Sequence, residues 1–284
     1  MKKVVLCAFL IALASADLFA DEASTNRWPK VVKQTDVGET TCVPCAIFDA
    51  FCFGDAKLAN LATNLPGKSP AEKVQNLINL YGKKPSGYFH HRLRYSTDIG
   101  VGDADIAPFA NDWMKQDVSE TPVRGEYLTL HTNEIAQQHL DRVYRLLQHS
   151  LNAGFPPVLT LQSYVAKKSI IHYCWYCQYR HSVTVVGIQA LPPDGTPGFS
   201  MQVADSLSGR VLETYVYAEE NHPFNAKIGY RLKSDDEEIP TWGDVNSQDY
   251  PYLLILSPEL EGELQGQVQW HERTICTLEH AVYR

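Results

Sequence analysis

A cysteine, a histidine and an aspartate stand in surroundings that suit nucleophilic catalysis: Cys42 in ETTCVPCAIFDAF, His181 in HSVTVVGI and Asp205 in ADSLSG. A thiol attacks a carbonyl as the thiolate, and a helix N-terminus favours that anion through its dipole and unpaired N–H groups. Cys42 opens an apolar segment with a helical stripe at Ala46, Ile47, Ala50 and Phe51, which puts the thiol at such an end. An imidazole must pair with the thiolate and carry its proton. His181 fits that role at the start of a β-branched strand. A third group must hold the ring through its other nitrogen, and Asp205, ending the next strand before a Ser-Gly turn, supplies a carboxylate. Gln34, upstream of Cys42, is the candidate side-chain donor of an oxyanion hole. The chemistry indicated is thiol-dependent amide hydrolysis, which needs no cofactor and no metal.

The elements that must position these groups are legible in part. The stripe predicts a helix over Cys42 to Phe53. SPAEKVQNLINLYG predicts a second helix, with Ser69 as N-cap, Pro70 at its first position, Glu72 completing a capping box and Gly82 as terminator; its apolar stripe is Val74, Leu77, Ile78 and Tyr81. A third helix runs from Asn133 to Asn152, with Ala136, Leu140, Val143, Tyr144, Leu147 and Leu151 on one face and Gly154 closing it. Residues 83–131 show no clear period and are expected to be an irregular excursion with short elements. The period then changes to that of strands at 158–165, 182–188, 199–205, 210–217 and 252–257. Helices first and strands afterwards predict an α+β fold with an antiparallel sheet.

The order of these pieces resembles the C39-like branch of papain-fold cysteine peptidases. In that family a glutamine precedes a Cys-Gly-Pro-x-Ala helix start; a capped helix, a helix-Gly-x-Pro-strand passage, a histidine opening a Val-rich strand, and an aspartate before a Ser-Gly turn follow. The matching pieces are Gln34, CVPCA (42–46), the Ser69 helix, LLQHSLNAGFPPVLTLQ (146–162), HSVTVVGI and ADSLSG. The chain departs from the pattern at Val43, which replaces a glycine, at Gln34, about two residues too far upstream, and at Ser206, where a proline is common. The resemblance implies a single papain-like domain over residues 17–284. It implies that Cys42 attacks, His181 moves the proton, Asp205 orients the ring and Gln34 receives the oxyanion. In papain and its near relatives the second cysteine of C-G-S-C-W attacks. In that register Cys45 is the nucleophile, Phe48 and Ala50 also match, and Glu39 stands where a glutamine belongs. Pro44 favours Cys42, because the first helical turn tolerates a missing N–H. The fold also hosts transpeptidases, amidases, deamidases and inactive relatives, so a protein or peptide substrate is the expectation and a binding module an alternative.

The remaining features bound the context. Lys2 and Lys3, an apolar run from Val4 to Leu13 and Ala14-Ser15-Ala16 read as an export signal cut after residue 16, with a second cut position after Ala20. The apolar run is too short to span a bilayer, and the product is expected to be secreted or periplasmic. Loss of Lys2 and Lys3 takes the net charge from −8 to −10, with no basic stripe for nucleic acid. Asp235, Asp236, Glu237 and Glu238 form the densest charge cluster, expected to be a solvated loop. The six cysteines after the signal are Cys42, Cys45, Cys52, Cys174, Cys177 and Cys276. Cys42-x-x-Cys45 also has the spacing of a redox pair, so a periplasmic thiol-disulfide oxidoreductase is the rival class. It lacks the apolar strand and βαβ unit such a motif requires. Cys174 and Cys177, flanked by His172 and His181, match half a zinc site without a second half, and a local disulfide or free thiols is the plainer account. The aromatics of YCWYCQY are packing residues or the wall of a substrate groove.

Overall fold

The helix that Cys42 opens, α1 (Cys42–Cys52), is buried from Val43 through Phe51. A helix apolar on all sides belongs in the centre of a fold. The computed structural model of the protein describes residues 30–88, 91–115, 121–128, 133–168, 173–189, 198–219, 226–234, 237–244, 252–256, 268–269 and 272–284. The chain divides into a unit of residues 1–30 and a unit of residues 31–284. The expected export signal lies outside the described residues.

Helices α2 (Ala56–Asn64) and α3 (Pro70–Leu77) follow α1. Asp55 caps α2 by accepting from the N–H groups of Lys57 and Leu58, and Ser69 caps α3 through Glu72 N–H. The Glu72 carboxylate reaches back one residue further than a capping box requires, to the Lys68 N–H at 2.7 Å. A single wide turn over Ile78–Gly82 carries the stripe onward, and Val74, Leu77, Ile78 and Tyr81 are all buried.

The described part of the stretch 83–131 carries several short elements and one longer helix. It holds the hairpin β1 (Tyr95–Ser96) and β2 (Gly100–Val101), helix α4 (Asp103–Met114) and strand β3 (Arg124–Tyr127). Pro108 hides α4 in the sequence, since an interior proline removes one helical hydrogen bond. Burial of Ile106, Phe109, Ala110 and Trp113 offsets that loss. The Trp113 ring stacks on Phe51 of α1, with centroids 3.8 Å apart. Helix α5 (Ala136–Asn152) starts three residues later than its pattern, and Gly154 ends it at φ +79°, a left-handed conformation suited to glycine.

The strands that follow are β4 (Val158–Lys168), β5 (Tyr173–Ile188), β6 (Gly198–Asp205), β7 (Arg210–Glu219), β8 (Ala226–Ser234), β9 (Glu237–Asp244), β10 (Tyr252–Leu256), β11 (Val268–Gln269) and β12 (Glu272–Tyr283). Six of them pair antiparallel in a ring: β4 with β5, β5 with β6, β6 with β7, β7 with β10, β10 with β12, and β12 with β4. The architecture is α+β, as the change of period predicts. β8 joins β5 through two parallel pairs and forms a hairpin with β9. Glu237 and Glu238 therefore open a strand rather than lying in a loop, and Glu238 stands opposite Lys233 in its register. One apolar core gathers α1 to α4 with Val158 and Val282; the other gathers α5 with Leu159, Leu161, Val183, Val203 and Leu278. Among the described residues no helix is long and apolar enough to cross a membrane.

Candidate active site

Cys42 is the first residue of α1, and the preceding Thr41 does not cap the helix with its side chain. Its hydroxyl turns backward instead, donating to the carbonyls of Gly38 at 2.6 Å and Gln34 at 3.3 Å. The first-turn N–H groups are thereby left to whatever anion stands at the helix end. Cys42 as a residue is neither fully buried nor exposed.

Strand β5 brings His181 to this end. The histidine lies inside the strand rather than at its start, because pairing already begins at Tyr173 with Lys168. The imidazole is fully buried, and its Nε2 sits 2.6 Å from Oδ1 of Asp205, also fully buried. Nδ1 keeps no other partner and is the nitrogen left for the thiol. Thr184, on the same strand, donates to the carbonyl of Ala46 at 2.6 Å and thus ties α1 to the strand that carries the histidine.

Asp205 ends β6, and the turn behind it holds its carboxylate. Oδ1 accepts from Leu207 N–H at 3.1 Å and Oδ2 from Ser208 N–H at 2.9 Å, while Gly209 takes φ +70° to close the turn. The sequence Asp-Ser-Leu-Ser-Gly thus provides both the acceptor and the donors that fix it.

The charge balance follows from these contacts. Burial alone pushes the Cys42 thiol up, but hydrogen bonding and charge from His181, with the backbone N–H groups of Ser182 and Val43, bring it below its ordinary value. Burial alone lowers His181, yet hydrogen bonds to Asp205 and Cys42 raise it to about 9. Burial likewise works against the Asp205 carboxylate, and His181 and Ser208 overcome it, so Asp205 lies below the usual range. Each charge of the pair thus favours the other: the thiol is shifted towards the thiolate and the imidazole towards the imidazolium.

Gln34 lies on a short 3-10 turn, Gln34–Asp36, and is buried. Its backbone N–H donates to the Ser206 carbonyl at 2.8 Å, and its Oε1 accepts from the Ser206 hydroxyl at 3.2 Å. One amide N–H goes to the Glu39 carbonyl at 3.2 Å. These bonds tie Gln34 to Ser206, the residue that follows Asp205.

Cys45 is not in this constellation. It is fully buried, its thiol donates to Thr41 Oγ1 at 3.9 Å, and burial, with Asp49 adding to it, pushes it well above its ordinary value. Cys52 and Cys276 are likewise pushed up by burial, to about 12. Among the described cysteines Cys42 alone is shifted towards the thiolate. Cys42, Cys45, Cys52 and Cys276 are free thiols. The side chains of Cys174 and Cys177, His172 and most of the YCWYCQY aromatics lie outside the described residues.

Several groups of this site carry no sequence signal of their own. Thr41 and Ser206 act through backbone turns, and Thr184 reads as an ordinary β-branched strand residue. Asp49, two helical turns after Cys42, is fully buried, accepts from Val32 N–H at 3.3 Å and is pushed well above the carboxylate range by burial. A polar residue on an otherwise apolar helix was its only mark.

No family model, no curated protein and no solved structure matches the chain.

Proposed function

We propose that the chain is a cysteine hydrolase of papain-like fold, in the C39-like branch, which cleaves amide bonds of a protein or peptide substrate outside the cytoplasm. The observation that carries this reading is the buried imidazole of His181, bound at Nε2 by Asp205 at 2.6 Å and left at Nδ1 for the thiol of Cys42. In the reaction the Cys42 thiolate attacks the carbonyl carbon, and negative charge moves to the carbonyl oxygen. The backbone N–H of Cys42 and an amide N–H of Gln34 receive that charge. The imidazolium of His181 gives its proton to the leaving nitrogen as the tetrahedral intermediate collapses to a thioester. Water then attacks the thioester, His181 takes its proton, and the acid departs as the thiolate and imidazolium re-form. Asp205 keeps one tautomer of the ring throughout and stabilises its charged form.

Limited alkylation with iodoacetamide at mildly acidic pH, followed by peptide mapping, tests this directly, because only a low-pKa thiolate reacts quickly there. The expected result is selective labelling of Cys42, accompanied by loss of peptide hydrolysis and matched by an inactive Cys42→Ala variant. Labelling that spreads evenly over the cysteines, or a Cys42–Cys45 disulfide in the isolated protein, would overturn the reading.

A further inference from the structure

The side-chain amide of Gln34 is held at two points. Its Oε1 accepts from the Ser206 hydroxyl at 3.2 Å, and one Nε2 hydrogen goes to the Glu39 carbonyl at 3.2 Å. An amide nitrogen carries two hydrogens, and the second meets no acceptor among the described residues, although Gln34 is only 3% exposed. A planar group held at one atom can still swing about that contact. Held at its oxygen and at one hydrogen, it has a single orientation, and its remaining N–H has a single direction. The backbone is set separately: Gln34 N–H donates to the Ser206 carbonyl at 2.8 Å, and the Thr41 hydroxyl donates to the Gln34 carbonyl at 3.3 Å. Gln34 is thus bonded both to the residue before Cys42 and to the residue after Asp205. The Ser206 hydroxyl takes no part in holding Asp205, whose carboxylate is bound by His181 and by the N–H groups of Leu207 and Ser208.

We propose that Ser206 is a positioning residue whose hydroxyl orients the Gln34 amide, so that the unpaired N–H meets the oxygen that becomes negative when Cys42 attacks a carbonyl. The inference rests on the hydrolase reading, with Cys42 as nucleophile and Gln34 as oxyanion donor. A donor fixed before the charge develops needs no reorganisation when it does, and that is the source of its effect. Without the hydroxyl the amide keeps one anchor, at Glu39, and spends less time aimed at the oxyanion.

Two reagents separate this role from general damage to the site. p-Nitrophenyl acetate acylates the thiolate through carbonyl addition: sulfur bonds to the carbonyl carbon, the oxygen takes the charge, and p-nitrophenolate leaves a thioester behind. Iodoacetamide alkylates the same thiolate by displacing iodide, without an oxyanion. The ratio of the two rates at Cys42, after subtraction of the rates in Cys42→Ala, reads the oxyanion donors, and changes in thiolate reactivity cancel. Ser206→Ala is expected to lower the ratio about threefold to tenfold, the scale of a misaligned donor, against about a hundredfold for a deleted one. The iodoacetamide rate itself should change little, since the bonds to Asp205 remain. Gln34→Ala should lower the ratio at least as far, and adding Ser206→Ala to it should lower the ratio no further, because the hydroxyl acts through the amide. If Ser206→Ala does not fold, Ser206→Cys takes its place, keeping the shape with a weaker donor, and the ratio should still fall. An unchanged ratio in whichever variant folds overturns the proposal, and so does an equal fall in the Gln34→Ala background. An unchanged ratio in Gln34→Ala removes Gln34 as oxyanion donor, and failure of iodoacetamide to favour Cys42 in the unaltered protein removes the nucleophile. Either of those overturns this proposal through the hydrolase reading, and each is distinct from a failure at Ser206 alone.

Discussion

In the proposed hydrolysis His181 would act as acid when the leaving nitrogen needs a proton and as base when water attacks, and its position between Asp205 and Cys42 decides how those roles divide with pH. Asp205 and the Cys42 thiolate raise it to about 9, against about 6.5 for an unperturbed imidazole, while the thiol is lowered. Hydrolysis should therefore rise with pH through the lowered thiol value and fall near pH 9 as the general acid loses its proton. Alkylation by iodoacetamide should follow the acid limb and show no alkaline fall, because the thiolate persists. In Asp205→Asn the alkaline limb should move down towards the ordinary histidine range, and pH–rate profiles of the unaltered protein and the variant read this. Stability changes in the same direction: His181 protonation contributes stability that is complete below about pH 6.5 and is lost as pH rises through about 9. The residues that the structure brings together were legible where residue type and adjoining element agree, as at Cys42, His181 and Asp205. Ser206 was not, because its hydroxyl meets Gln34, far away in sequence and brought to it only by the fold.

The element that matters most to the site is the contact between α1 and β5, since it sets where the thiol stands relative to the imidazole. The Thr184 hydroxyl at 2.6 Å from the Ala46 carbonyl pins the two one turn from Cys42. Replacing it by valine keeps the shape and removes the pin. Thr184→Val should cost about 1 kcal/mol, a fall of about 2 to 4 °C in Tm, and about tenfold in kcat from loss of alignment. KM should change little, and melting with steady-state kinetics checks both. An undiminished kcat would show that apolar packing of α1 alone sets the geometry. At this scale the sequence was readable where one period ran unbroken, as in the stripes of α3 and α5. It failed where a local signal opposed the tertiary gain. Pro108 disguised α4, and in β12 the bulge between Leu278 and His280 breaks the alternation at Glu279.

That unread strand is what makes the fold whole. β12 pairs with β3, β4, β10 and β11, and its pairing with β10 and β4 closes the six-strand ring. Cys276, Leu278, Ala281, Val282 and Tyr283 are all buried on it. At about 1.5 to 3 kcal/mol for each large buried side chain, their removal rivals the whole net stability of a domain, about 5 to 15 kcal/mol. It would also open β4 and β10 to water as unpaired edges. Arg284 then clasps the end of the ring to the helical half, donating to the Ala153 carbonyl at 3.0 Å and standing 3.5 Å from Asp55. The two contributions separate experimentally. Deleting Arg284 alone leaves the ring closed and should lower Tm by a few degrees with hydrolysis retained, since a partly exposed clasp is worth only about 1 kcal/mol. Deleting 272–284 should abolish cooperative unfolding and the selective reactivity of Cys42 together, because the thiol is activated by a histidine on β5, and β5 is paired to β4, which β12 supports on its other edge. A truncated chain that still melted cooperatively would mean that the remaining five strands hold His181 without closure, and the site would then depend on α1 and β5 alone.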